Sequence, residues 1–310
     1  MSTNELRRPE PVFVLAPARS YSTVTVALLA GHPAIYGFPE LLVFGVRTAG
    51  DLLSEQQRSP RLDPGYIQVR QTGPLCALAQ LHEGDQSAAA IARARDWLRT
   101  HADWPVKDLF DHLLDLVAPR IGLEKSPETI ATQAAVNECL RTYPDARLLH
   151  LTRHPVTTQL SMHRHWQDMK HIYNRRHLVA TAASAWYLGH CRAIRALETL
   201  PPNRWMRVAA ENLVDQPRVW LPKILDWLGL AYDDEDIGRM LHTERWVYAG
   251  LGDPGNLYGG DAVFLHSPKL RPAVDPGPVV FDPAWGLPPE MCRRMAELAR
   301  YLGYRTDNNE

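Results

Sequence analysis

Lysine is scarce in this 310-residue chain: Lys107, Lys125, Lys170, Lys223 and Lys269 are the only lysines among 34 basic residues, and the rest are arginine. Net charge is nearly absent too, because 34 basic side chains face 35 acidic ones. That balance excludes a global attraction to nucleic acid or to an anionic membrane, so any anion site must be local. Cysteine is sparse, and Cys76, Cys139, Cys191 and Cys292 form no CxxC pair. Neither a disulfide framework nor a cysteine zinc site is expected, and a reducing cytoplasm fits. The N-terminal stretch MSTNELRRPEP lacks the apolar core of a secretory signal. No run approaches the roughly 18 uninterrupted apolar residues of a membrane span, so no membrane partner is expected.

The composition, 45% apolar and 22% charged, is that of a protein that folds around a core. With no internal repeat, low-complexity tract or linker, one domain over residues 1–310 is the expected organisation. Val12 to Ala16 is a short apolar run suited to a buried parallel strand. It is followed by the loop Pro17-Ala18-Arg19-Ser20 and a helical stretch from Tyr21 to Ala30, stopped at Gly31-His32-Pro33. A second such unit starts at Arg147 to Thr152, turns at Arg153-His154-Pro155, and continues as a helix through Leu160 and Ser161 to about Trp166. Further strands are expected just before Lys125 and at Trp205 to Ala209. Helical periodicity covers 87–101, 106–119, 128–142, 178–199, 217–229 and a last helix at Pro289 to Leu302. Strands alternating with helices predict an α/β fold with a central parallel sheet flanked by helices. Tyr248 to Ala284 is rich in Gly, Pro and Asp and carries little pattern.

The chemistry concentrates in two strand-to-helix turns. A helix N-terminus offers unpaired N–H groups and a positive dipole end to an anion. Ser20, Ser22 and Thr23 add hydroxyls there, and Arg19 adds a charged fork. No GxxxxGK[ST] pattern can be written through these residues, which disfavours an ordinary nucleotide triphosphatase. Arg153 ends the second strand, and Ser161 follows on the next helix, where ligands of open parallel sheets collect. This pair is placed to meet a second phosphate. The histidines His150, His154, His163, His165, His171 and His177 span strand, loop and helix without an HExxH pattern, and no metal is expected. Trp97, Trp166, Trp186, Trp220 and Trp227 recur on helices, where core packing is the default, with Trp186 also able to lie near an adenine.

These residues carry a resemblance. FVLAPARSYSTVTVALLAGHPAIYGFPE, Phe13 to Glu40, resembles the 5′-phosphosulfate loop and following helix of sulfotransferases that use 3′-phosphoadenosine-5′-phosphosulfate (PAPS). LLHLTRHPVTTQLSM, Leu148 to Met162, is similar to their 3′-phosphate segment, whose Arg and Ser are Arg153 and Ser161 here. Glu124-Lys125-Ser126-Pro127 resembles the family's Lys-Ser/Thr-Pro segment, and Ala210-Glu211-Asn212-Leu213 its Tyr-Glu-Asp-Leu segment. Gly31-His32-Pro33, Pro39-Glu40-Leu41 and Gly252-Asp253-Pro254 look closest to domains associated with polyketide assembly lines. Tyr21 stands where the family loop usually has Gly, which permits a positive φ. Either the loop accommodates an L-residue, or Tyr21 turns outward toward acceptor or adenosine.

The resemblance implies a P-loop-like fold and transfer of a sulfuryl group from PAPS to a hydroxyl. The acceptor that the resemblance implies is a small molecule or a carrier-bound chain such as a β-hydroxyacyl group. Arg19, Ser20, Tyr21, Ser22, Thr23, Arg153 and Ser161 are its implied cofactor-binding residues. Glu40 is the implied general base, Arg19 and Lys125 the implied charge-stabilising groups, and His266 a second candidate base. The alternatives are a nucleotide-dependent kinase and a noncatalytic nucleotide-binding protein. Residues 250–271, with five glycines beside Leu257, Tyr258, Phe264 and Leu265, have the composition of a substrate lid.

Overall fold

The computed structural model describes residues 8–53, 64–168, 178–250 and 260–306. The chain runs β1 (Val12–Leu15), α1 (Ser22–Leu29), β2 (Ile35–Gly37), α2 (Ala49–Leu53), α3 (Pro64–Glu83), α4 (Ala88–Thr100), α5 (Val106–Val117) and β3 (Ile121–Glu124). It continues through α6 (Gln133–Thr142), β4 (Arg147–Thr152), α7 (Pro155–Asp168), α8 (Leu178–Leu197), β5 (Trp205–Ala209), α9 (Ala210–Asp215) and α10 (Pro217–Leu228). Three more helices follow, α11 (Asp234–Met240), α12 (Ala262–His266) and α13 (Pro289–Tyr301). The five strands form one sheet in the order β2-β3-β1-β4-β5, and every pairing is parallel. The α/β class and the flanked parallel sheet expected from the sequence are both met.

Continuous apolar strands are buried on both faces, which is why the central strand reads Val-Phe-Val-Leu without alternation. Phe13 is fully buried, and its ring meets Phe44, Phe110 and Tyr143 at centroid separations of 5.3, 5.8 and 5.5 Å. Against the other face lies α1, of which every residue but Val24 is buried. Gly37 makes room for this packing: a Cβ there would stand 2.7 Å from the Val26 side chain and 2.8 Å from that of Ala30. The Arg147–Thr152 and Trp205–Ala209 strands lie where the sequence placed them, whereas β1 stops one residue early, at Leu15.

The expected helix over 128–142 is two elements, a 3₁₀ turn over Pro127–Ile130 and α6. The break comes at Thr132, whose hydroxyl accepts the Ala135 N–H at 3.1 Å and starts a new helix. Within the stretch read as patternless, α12 and a 3₁₀ turn over Pro283–Trp285 form. Residues 251–259 of the expected lid lie outside the described residues. No described helix is long and apolar enough to cross a membrane, and the four cysteines are free.

Candidate active site

Each strand releases a charged side chain just beyond its carboxyl end. Arg19 follows β1, Glu40 follows β2, Lys125 follows β3, Arg153 follows β4 and Glu211 follows β5. Because the chain leaves β1 toward β2 and β3 on one side and later returns on the other through β4, the site lies at a switch in strand order.

The loop after β1 carries unusual backbone. Arg19 has φ 66° and Tyr21 φ 56°, both non-glycine residues in the left-handed region, a conformation that costs roughly 1–2 kcal/mol each. Neighbouring side chains hold it. Arg153 donates from its guanidinium to the Arg19 carbonyl at 2.6 Å, and its guanidinium carbon lies 4.1 Å from the centre of the Tyr21 ring. The question raised by Tyr at the glycine position is thereby answered: an L-residue takes the positive φ, and its ring turns to Arg153. Between the two strained residues, Ser20 is fully buried and its hydroxyl has no hydrogen-bond partner. Ser22 and Thr23 are buried at the start of α1.

Arg19 donates from Nε to the Ser161 hydroxyl at 3.0 Å and pairs with the Asp261 carboxylate. Arg19 therefore meets Arg153 and Ser161, each more than a hundred residues further along the chain, although Ser161 bonds to Arg19 and not to Arg153. The Thr23 hydroxyl accepts from Lys125 Nζ at 3.2 Å and from the Asp261 N–H at 3.1 Å. Lys125 is buried and forms an ion pair with Glu40, whose side chain keeps 26% of its surface exposed. Helix α3 closes over this turn, since a Cβ on Gly73 would come within 1.9 Å of the Glu40 carbonyl oxygen. His266 sits exposed at the end of α12, and no hydrogen bond or ion pair among the described residues joins it to this cluster.

Burial lowers the Arg153 pKa, while Tyr21 and Glu211 pull it back up. Trp186 is buried and donates from its indole to the Arg153 carbonyl at 2.9 Å. It packs beneath the turn and offers no open face for an adenine. Glu211 accepts the His154 N–H at 2.8 Å and the Tyr304 hydroxyl at 3.1 Å, and burial pushes its carboxyl up. These contacts fix the Arg153 turn from below. Sequence reading missed Asp261 and Tyr304 in this cluster. Asp261 had one signal, its place as N-cap of α12, where it accepts the Val263 N–H at 3.0 Å. Tyr304 had none.

The histidines scatter. His150 is paired with His190 at 2.9 Å behind the sheet, His154 lies under the turn, and His163 packs against Trp285. His171 and His177 lie outside the described residues. Among the described residues, no group of three or more His, Cys, Asp or Glu side chains is arranged to hold a metal ion.

A model described as the sulfotransferase family matches residues 11–234, most of the chain. The chain belongs to the sulfotransferase family. No curated protein matches the sequence. Among solved structures, the sulfotransferase domain from the curacin biosynthetic pathway aligns with TM-score 0.72 at 18% identity, over 96% of this chain and 99% of that one. The sulfotransferase domain from the Synechococcus PCC 7002 olefin synthase aligns with TM-score 0.68 at 25% identity, over 95% and 98%. Sulfotransferase STF9 from Mycobacterium avium aligns with TM-score 0.56 at 18% identity, over 97% and 79%. The expected family, the expected sulfotransferase fold and the expected likeness to domains of biosynthetic assemblies are all met.

Proposed function

We propose that residues 1–310 act as a single cytoplasmic sulfotransferase domain that transfers a sulfuryl group from PAPS to the hydroxyl of a small-molecule or carrier-bound acceptor. The observation that carries this reading is the meeting of Arg19, Lys125 and Arg153 around the start of α1, beside a buried Ser20 hydroxyl without a partner. Three cations, a helix N-terminus and an orphaned donor fit a ligand with anionic groups at two places. PAPS would supply the activated sulfuryl group, with adenosine 3′,5′-bisphosphate as the leaving product.

The chain's own residues divide the work. Ser20, Ser22, Thr23 and the first-turn N–H groups of α1 bind the 5′ end, and Arg153 with Ser161 binds the 3′-phosphate. Tyr21 shapes the loop between them and backs Arg153 with its ring. Arg19 and Lys125 neutralise charge that builds on the transferred and bridging oxygens. Glu40, partly exposed and held beside Lys125, takes the proton from the acceptor hydroxyl. His266 is the second candidate base and ranks below Glu40, which is held against the cationic cluster. The stretch from Gly260 to Arg271, anchored by Asp261 to Arg19 and Thr23, borders the acceptor side.

The resemblance to domains of polyketide assembly lines implies an acyl chain carrying a β-hydroxyl as the acceptor, and the curacin-pathway and olefin-synthase domains among the structural neighbours fit a carrier-bound acceptor. Incubation with ³⁵S-labelled PAPS and a β-hydroxyacyl pantetheine thioester tests the reading. Label in the thioester with equimolar adenosine 3′,5′-bisphosphate is expected. Tight bisphosphate binding without transfer to this thioester or to a panel of small alcohols would leave a noncatalytic nucleotide-binding protein.

A further inference from the structure

Two three-residue segments face one another across the site. Lys125 pairs with Glu40, and its two neighbours grip the two residues after Glu40. Glu124 Oε1 accepts the Leu41 N–H at 3.3 Å, and Ser126 Oγ accepts the Leu42 N–H at 2.9 Å while donating to Glu124. Glu124 and Ser126 are each about as buried as any side chain in the core, at 1% exposure. Leu42 needs such a hold, for its φ of 59° is a left-handed conformation that an L-residue takes only when its surroundings impose it. From the opposite side Gly73 packs on the Glu40 carbonyl, so the backbone around Glu40 is clamped on two sides.

A buried carboxylate is expensive to desolvate, and hydrophobic packing at this place would be simpler. Glu124 instead spends its hydrogen bonds on the turn that delivers Glu40. We infer that Glu124 is a positioning residue of the transfer site: with Ser126 it fixes the Leu41 and Leu42 backbone and thereby holds Glu40 against Lys125. The inference rests on the reading of Glu40 as the base.

The clasp is strongest when Glu124 is ionised, because a carboxylate is a charge-assisted acceptor for both the N–H and the O–H. Burial pushes its carboxyl up to about 7, with Ser126, Leu41 and the Lys125 ammonium pulling it down and Glu40 pushing it up. The other titratable group facing it is the Cys139 thiol on α6, which burial holds protonated. Protonation of Glu124 as pH falls through about 7 therefore loosens the clasp.

Amide hydrogen exchange of the unliganded protein, read residue by residue and corrected for the intrinsic pH dependence, tests this without substrate. Glu124→Ala is expected to speed exchange at Leu41 and Leu42 at least about tenfold and to leave β1 and β4 protected. Turnover with the thioester should fall about 10- to 100-fold while bisphosphate affinity stays within about twofold, as a misplaced group predicts. Glu124→Gln keeps an acceptor oxygen but cannot ionise, so its turnover at pH 8 should already be at the reduced level that the unmodified protein reaches on the acid side, and the inflection near 7 should be lost. Ser126→Ala should free the Leu42 amide alone, which keeps the test decisive if Glu124→Ala fails to fold. Unchanged exchange at Leu41 and Leu42 in these variants, or an inflection near 7 that persists in Glu124→Gln, overturns the inference. Normal turnover of Glu40→Gln would instead remove the base reading, and the exchange result would still decide whether Glu124 holds the turn.

Discussion

The guanidinium carbon of Arg153 lies 4.1 Å from the ring centre of Tyr21, and the same guanidinium donates to the carbonyl of Arg19 at 2.6 Å. The proposed 3′-phosphate residue thus also shapes the proposed 5′ loop. Replacing Arg153 by Ala removes a charge-assisted contact worth roughly 1.5–3 kcal/mol, so adenosine 3′,5′-bisphosphate should bind about 10- to 150-fold more weakly. Calorimetric affinity that does not change would rule out this role.

Glu40→Gln should leave bisphosphate affinity intact and lower turnover by about 100- to 10,000-fold, the range for removing a general base. Single-turnover kinetics separates the two effects. Should Glu40→Gln react normally while His266→Ala is inactive with its bisphosphate affinity intact, the base is His266.

Asp261 places a carboxylate on Arg19, the cation proposed to meet the sulfuryl group. An anionic ligand must compete with it or displace it. Asp261→Asn is therefore expected to raise bisphosphate affinity several-fold, up to about tenfold. In the unmodified enzyme, hydrogen exchange over residues 260–271 should slow further when the acceptor joins the bisphosphate. Weaker bisphosphate binding by Asp261→Asn would show that Asp261 orients Arg19 for the ligand and does not oppose it.

Why some of this site was legible in the sequence and some was not follows from how each residue is placed. Arg19 and Arg153 follow short strands, Val-Phe-Val-Leu and Arg-Leu-Leu-His-Leu-Thr, each with an apolar run at its heart, so strand, turn and cation could be read together. Lys125 and Glu40 were recognisable through short flanking patterns, but their pairing depends on β2, a three-residue strand between Pro33 and Pro39 that has no periodicity to detect. Helix α3 escaped for a different reason: Gly73 and Pro74 interrupt it, residues that weaken a helical pattern, and Gly73 is there because the Glu40 carbonyl leaves no space for a Cβ. Asp261 and Tyr304 reach the site only through tertiary packing of the last sixty residues. Trp186 lies on the buried side of a helix that periodicity predicts, and its indole serves the Arg153 turn.

Behind the sheet, Arg207 donates from Nε to His150 Nδ1 at 3.1 Å, so His150 carries its proton on Nε2 and donates to His190 at 2.9 Å. Both rings are neutral in the fold: burial first, then the neighbouring charges, hold His150 well below its usual value and His190 down to about 3. The unfolded chain takes up these protons below about 6.5 and the folded one does not, so stability rises with pH across that window and is lost on acidification toward 3. Each histidine contributes on the order of 1 kcal/mol per pH unit there. Denaturant unfolding from pH 7 to pH 4 should show this slope, and His190→Gln should flatten it by about one histidine's share. An unchanged slope would mean that His190 titrates alike in both states.

The claim that this chain uses a nucleotide phosphorylated at both ends is tested most directly by calorimetric titration of the unmodified protein with adenosine 3′,5′-bisphosphate, and separately with ATP plus magnesium. Arg153 and Ser161 on one side of the switch in strand order, and Ser20, Ser22 and Thr23 on the other, predict that the bisphosphate binds at least about tenfold more tightly, a difference of roughly 1.4 kcal/mol. Equal affinity for the two nucleotides, or tighter binding of ATP with magnesium, would contradict the account and favour the kinase reading.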